Sequence, residues 1–126
     1  MNMTANQFRR IALGMAGAVE GAHMNHPDFR AANGRIFATL NETETRAMAA
    51  LTPEQQAEFM KRAPDAFVAA SGAWGRNGST LIVLAHADEE IVGEAVTLAW
   101  QRISAGSVAK RKLARARITG RRHASP

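Results

Sequence analysis

The sequence predicts a single α+β domain in which helices cover an antiparallel sheet mainly on one face. Three observations predict this class: two capping boxes that each precede a helical pattern, an Asn-Gly pair between two apolar stretches, and a long apolar stripe at helical spacing. The 126 residues are 46 % hydrophobic and contain no cysteine, so one core can form without disulfides. The same count excludes a thiolate zinc site and a cysteine nucleophile.

The first helix is predicted over residues 4–15. Thr4 and Gln7 have the spacing of a capping box, and apolar residues then recur at helical spacing through Met15. Three glycines disfavour continuation of this helix (Gly14, Gly17 and Gly21). We therefore expect residues 16–25 to form a turn that leads into extended chain.

A hairpin is predicted around Asn33-Gly34, the pair that favours a two-residue type I′ turn. This register places Phe29 opposite Ala38 and divides the hairpin into an apolar and a more polar face. The apolar face holds Phe29, Ala31, Ile36, Ala38 and Leu40, and the other face holds Arg30, Ala32, Arg35, Phe37 and Thr39. Arg30 and Arg35 then become diagonal neighbours and a candidate anion contact; alternatively, they simply solvate the exposed face.

The segment Thr43–Leu51 is ambiguous, because its composition favours a helix while its position favours a third strand of a meander. Thr52, Pro53 and Gln55 begin a second helix, which ends before Pro64. We expect the remaining elements to be a short strand, a glycine-rich turn, an apolar strand and a third helix capped by Asp88 and ended by Gly106, over 66–70, 71–78, 79–85 and 88–106.

The predicted turn 71–78 is a candidate ligand site. Its glycines would leave backbone N–H groups free for a phosphate, Arg76 would add a forked donor, and the Trp74 ring could stack on a base. Neither the Walker pattern nor the dinucleotide glycine fingerprint is present. The alternative is that the indole of Trp74 belongs to the core.

Metal binding and catalysis are not expected. His23 and His26 lie three residues apart beside Asp28, but two imidazoles make only half a zinc site. The chain has no Gly-x-Ser-x-Gly motif and no serine with an evident base partner. We therefore expect a protein that is not an enzyme and that needs no cofactor.

Charge divides the chain into a predicted domain, 1–104, and a basic, flexible tail, 105–126. Residues 1–109 carry nine Lys or Arg against 11 acids, a balance of −2, whereas the end of the chain carries seven basic residues and no acid: Lys110, Arg111, Lys112, Arg115, Arg117, Arg121 and Arg122. Such a segment attracts nucleic acid by counterion release. The alternative is a solvated extension without a specific partner. No apolar run approaches the ~20 residues of a membrane span, so we expect a cytoplasmic protein.

The order of several short motifs resembles the MmcQ/YjbR family of small bacterial proteins across residues 5–104. The motifs include His26-Pro27-Asp28-Phe29-Arg30, Gly34-Arg35-Ile36-Phe37-Ala38, Leu51-Thr52-Pro53-Glu54-Gln55, Trp74-Gly75-Arg76-Asn77-Gly78 and Ala99-Trp100. The resemblance implies a frataxin-like α+β fold and a strand over 45–51. It also implies a double-wing shape like that of DNA-binding proteins, which is a fold-level analogy.

Two functions follow as expectations. The first is non-catalytic binding of nucleic acid, in which the tail provides attraction and Arg30, Arg35, Trp74 and Arg76 provide shape selectivity. The second is a small-ligand or protein-interaction module with a pocket between the sheet and the helices, near His26, Trp74 and Arg76.

Overall fold

The structure, a computed structural model, describes the backbone of residues 3–119 and the side chains of residues 3–105. Within these residues the strands are β1 (Val19–His23), β2 (His26–Arg30), β3 (Ile36–Leu40), β4 (Arg46–Ala50), β5 (Phe67–Ala69) and β6 (Ser79–Val83). The α-helices are α1 (Ala5–Leu13), α2 (Pro53–Arg62), α3 (Gly72–Arg76) and α4 (Glu89–Thr119). The strands form one antiparallel sheet in the order β1-β2-β3-β4-β6-β5, which confirms the predicted α+β domain.

Helices α1, α2 and α4 pack on one face of this sheet. Phe8 of α1 meets Phe29 of β2 edge to face with ring centroids 5.8 Å apart, and Phe59 of α2 lies 5.2 Å from Phe67 of β5. Helix α4 buries Val92, Ala95, Val96 and Ala99 in the same core. Because side chains alternate along a strand, the residues between the buried ones lie on the opposite face, which is called the open face below.

Both predicted capping boxes are present. The Thr4 and Thr52 hydroxyls accept hydrogen bonds from the backbone N–H groups of Gln7 and Gln55, and both glutamine side chains accept from the cap residue's own N–H. The carboxylate of Asp88 likewise accepts from the N–H groups of Glu90 and Ile91 at the start of α4. These contacts satisfy donors that the first helical turn leaves unpaired.

Strand β1 was not anticipated, because the sequence predicts only a turn and extended chain there. Met24 and Asn25 both have positive φ, 50° and 67°, and they join β1 to β2 with His23 opposite His26. A tight hairpin therefore forms without the Asn-Gly pair that usually marks it. Its closing residue is Asn25, which tolerates the left-handed region better than most residues.

The Asn33-Gly34 hairpin forms with a longer loop than predicted. Of these two residues only Gly34 has positive φ, 84°, and the Ala31 N–H donates to the Arg35 carbonyl at 2.9 Å, so the loop has three residues. Phe29 does face Ala38, but Arg30 faces Ile36, and Phe37 is left as a bulge. Phe37 is fully buried instead of lying on the polar face. Burial of a phenyl side chain, worth about 2 kcal/mol, favours the bulge.

Strand β4 confirms the strand that the family resemblance implies. Its pairing with β3 and β6 overrides the local preference for a helix.

Helix α4 continues to Thr119, so the predicted end near Gly106 is wrong. A glycine inside a helix costs only about 1 kcal/mol, and the Ala, Lys and Arg residues that follow favour the helix.

The side chains of Lys110, Arg111, Lys112, Arg115 and Arg117 lie outside the described part of the structure, as do residues Arg121 and Arg122 entirely. The role predicted for these seven residues stays a prediction. Among the helices that the structure describes, none combines the length and the apolar character needed to cross a membrane.

Candidate functional site

A groove of about 640 Å³ lies on the open face, within the size range of small-molecule sites. It runs from the β1–β2 hairpin across β3, β4 and β6 to α3. Its lining residues are His23, His26, Thr39, Asn41, Arg46, Ala47, Met48, Ala70, Ser71, Trp74, Ser79 and Leu81. The sheet therefore separates this groove from α1, α2 and α4, whereas the sequence predicts a pocket between the sheet and the helices.

One end of the groove is cationic. His23 pairs with His26 across the β1–β2 hairpin. Asp28 faces Thr39, and Thr39 faces Met48. His26, two residues before Asp28, and Arg46, two residues before Met48, therefore lie at the same level of the sheet. Arg46 is exposed and forms no salt bridge with any side chain that the structure describes. An anion could therefore be bound here by the guanidinium of Arg46.

The floor of the groove is apolar. Met48 and Leu81 face each other on neighbouring strands and are half-buried. Two-sided alternation explains their position, because Ala47, Ala49 and Ile82 point into the core. The floor can thus contact an apolar or aromatic surface while the cationic end binds a charged group.

Trp74 forms the other end of the groove. It is 74 % exposed and lies on α3, the short helix that replaces the predicted turn. Gln56 of α2 fixes this helix: its side-chain amide donates to the carbonyls of Gly75 and Ser79 at 3.1 and 3.0 Å. The same amide lies 3.2 Å from the Thr80 hydroxyl. The indole is therefore held in place although it is open to solvent.

Helix α3 also packs closely against Ala70, in the segment that precedes it. Gly75 is buried, and a Cβ atom at this position would overlap the carbonyl oxygen of Ala70. Only glycine allows this approach. The N–H groups of Asn77 and Gly78 donate to carbonyls of α3, so these two groups are not free for a phosphate.

A buried carboxylate organises the hairpin end of the groove. The side chain of Asp28 is 0 % exposed and accepts two hydrogen bonds from Arg30, at 2.9 and 3.1 Å. The Nδ1 atom of His23 donates to the same carboxylate at 2.7 Å, so Asp28 fixes the orientation of this ring. The Arg30 guanidinium, helped by His23 and opposed by burial, holds the pKa of Asp28 below its usual range.

The four body residues predicted as a site do not converge. Trp74 lines the groove, but Arg30 is engaged by Asp28, Arg35 lies in the β2–β3 turn, and Arg76 is exposed outside the groove lining. The bulge at Phe37 also removes the predicted diagonal pairing of Arg30 with Arg35. Trp74 and Arg76 are two residues apart in a helix and so lie on different sides of it.

Arg46 and the contact of His23 with Asp28 were not predicted from the sequence. Arg46 and Met48 have the period-two spacing of one strand face, but that signal is readable only once β4 is assigned as a strand. Asp28 and Arg30 show the same spacing, which could have indicated an ion pair on one face of β2. The position of His23 in the groove can be predicted only once β1 is assigned as a strand.

The two histidines stand as a pair, with ring centroids 6.1 Å apart. Among the residues that the structure describes, no three His, Cys, Asp or Glu side chains are grouped as metal ligands.

The comparison with solved structures shows a fold similar to that of a DUF419 domain. The particular match is the crystal structure of Deinococcus radiodurans protein DR2400, with a TM-score of 0.69 and 14 % sequence identity over 81 % of this chain and 79 % of that one. No protein-family model and no curated protein matches the chain. At this identity the likeness concerns the fold.

Proposed function

We propose that this chain is an MmcQ/YjbR-like protein that binds nucleic acid and acts by binding rather than by catalysis. The observation that carries the proposal is the separation of charge: seven Lys or Arg and no acid in residues 110–126, against a balance of −2 in the rest. The order of the sequence motifs and the DUF419-like fold support the family assignment.

The basic segment would bind phosphates with little dependence on sequence. Each phosphate that a Lys or Arg neutralises releases condensed counterions, so binding weakens steeply as salt rises, with a log–log slope of about 0.9 per contact on duplex DNA. The groove adds a cationic end that faces away from the acidic side chains of the helices. This division assigns most of the affinity to the segment and any selectivity to the groove.

Fluorescence anisotropy with labelled DNA at several salt concentrations tests the proposal. The variant replaces all seven basic residues of 110–126 by glutamine in the full-length protein, which retains helix propensity. We expect at least about tenfold weaker binding near 50 mM salt and a slope reduced by about 0.9 per lost contact.

A matched control separates the segment's charge from total charge. Lys110→Gln with Lys112→Gln should weaken binding more than Arg10→Gln with Lys61→Gln, two exposed cations on α1 and α2. Absence of DNA binding by the intact protein near 50 mM salt would reject the proposal. Equal affinity and slope for the seven-residue variant would reject the role of the basic segment.

A second candidate is a small-ligand module, favoured by the groove volume and by the placement of His26 and Trp74 in one lining. A thermal-shift screen against nucleotides and phosphorylated metabolites tests it, because a ligand bound only by the native state raises the Tm. We expect such a rise to disappear in Trp74→Ala. A flat response across the panel would count against this candidate.

A further inference from the structure

We infer that the groove on the open face binds unpaired nucleotides, with a base stacked on Trp74 and phosphate held near His23, His26 and Arg46. The protein would therefore prefer single-stranded nucleic acid to duplex. This inference rests on the proposed function for the identity of the polymer, but it concerns a different part of the molecule from the basic segment.

The first argument is the state of Trp74. Trp74 is 74 % exposed, yet it lies on a helix that is tied to the sheet. The Gln56 amide donates to the Gly75 carbonyl of this helix and also contacts Ser79 and Thr80 of β6. A ring that is both exposed and held loses little entropy when a base stacks on it. Stacking on aromatic side chains is the common mode of single-strand binding.

The second argument is the difference between single strands and duplexes. In a duplex each base is stacked on its neighbours, so the sides of the helix offer no free ring face to Trp74. An unpaired base offers one, and every base has such a face, which makes the contact tolerant of sequence. Between the two ends of the groove, the half-buried floor of Met48 and Leu81 can contact the apolar edge of the nucleic acid strand.

The third argument is charge complementarity along the groove. The described part of the chain carries all 11 acids, yet no Asp or Glu is among the groove-lining residues that the structure describes. The nearby carboxylate of Asp28 is buried and paired with Arg30. Neighbouring strands lie about 4.8 Å apart, so His26 on β2 is about 14 Å across the sheet from β6, the strand that follows the helix of Trp74.

The test measures the full-length protein against one labelled 15-nucleotide single strand and its duplex at the same salt concentration. We expect the single strand to bind at least about tenfold more tightly. Trp74→Ala should weaken single-strand binding about tenfold and change duplex binding less than about twofold. Leu13→Ala, which truncates an apolar side chain of 41 % exposure on α1, is the control.

Trp74→Phe distinguishes stacking from a structural effect. Phenylalanine keeps a ring for the base, so most of the affinity should be retained. The quenching of tryptophan fluorescence that we expect on binding to wild type should be largely lost. Arg46→Gln should weaken binding to the single strand more than Arg35→Gln, because both arginines are exposed and only Arg46 lines the groove.

The outcomes separate this inference from the proposed function. Binding to neither polymer would overturn both. Single strand and duplex could instead bind equally, with binding lost in the seven-glutamine variant and kept in Trp74→Ala. That result would overturn the inference about the groove and leave the proposed function standing. Competition by a free nucleoside monophosphate as tight as by the 15-nucleotide strand, and equally dependent on Trp74, would assign the groove to a free nucleotide and reject the polymer.

Discussion

Gly78→Ala is expected to lower the free energy of unfolding by about 3 kcal/mol. Gly78 has φ of 109°, a conformation that alanine adopts only with strain, and an added Cβ would overlap the carbonyl oxygen of Leu51. This neighbour is a backbone atom at the end of β4, so it cannot rotate away. The loss can be measured by chemical denaturation.

Gly93→Ala is the matched control for this substitution. Gly93 lies inside α4 with no atom near its Cβ position, so alanine should stabilise the protein by up to about 1 kcal/mol. The two variants add the same methyl group and should shift stability in opposite directions. If Gly78→Ala matched wild type, the close approach of Gly78 to Leu51 would be wrong.

Asp28→Asn is expected to lower the free energy of unfolding by about 2 kcal/mol at neutral pH. Removing one member of a buried ion pair costs about 3–5 kcal/mol, and the loss is smaller here because Arg30 and His23 keep 38 % and 44 % of their side chains exposed. Glu94→Gln, which breaks the solvent-exposed pair with Arg62, should cost much less.

Acid should remove the difference between Asp28→Asn and wild type. The pKa of Asp28 is lowered in the folded state, chiefly by Arg30, so its contribution is complete above the unfolded value of about 3.9. The contribution is lost as pH falls from there through the folded pKa. Glu44 and Glu94 also have lowered pKa values, beside Arg9 and Arg62, so the comparison with wild type at each pH is the informative measurement. A constant difference between pH 7 and pH 2 would contradict the pairing of Asp28.

Local signals predicted the elements that are bounded by side-chain chemistry. Thr4 and Thr52 cap helices because a hydroxyl and a glutamine three residues later satisfy free N–H groups, and that requirement depends on four residues only. Strand β4 was harder, since Arg46–Ala50 prefers a helix locally and becomes a strand through pairing with β3 and β6.

The groove was less predictable than the fold, because its residues come from strands that meet only in the sheet. Trp74 was identified from its neighbours in sequence, whereas Arg46 and His23 needed the order β1-β2-β3-β4-β6. The bulge at Phe37 changed the partner of Arg30, since burying a ring outweighed regular pairing. Short-range patterns cannot express that competition.

Gln56 gives the molecule a mechanical link between its interior and its outer surface. Its helix contributes Phe59 to the core, while its amide group donates to the carbonyls of Gly75 in α3 and Ser79 in β6. A slight rotation of α2 would therefore move the hydrogen-bonded helix α3 and, with it, the indole of Trp74. Affinity at the exposed ring should respond to loosening of the interior at temperatures where the chain as a whole is still native.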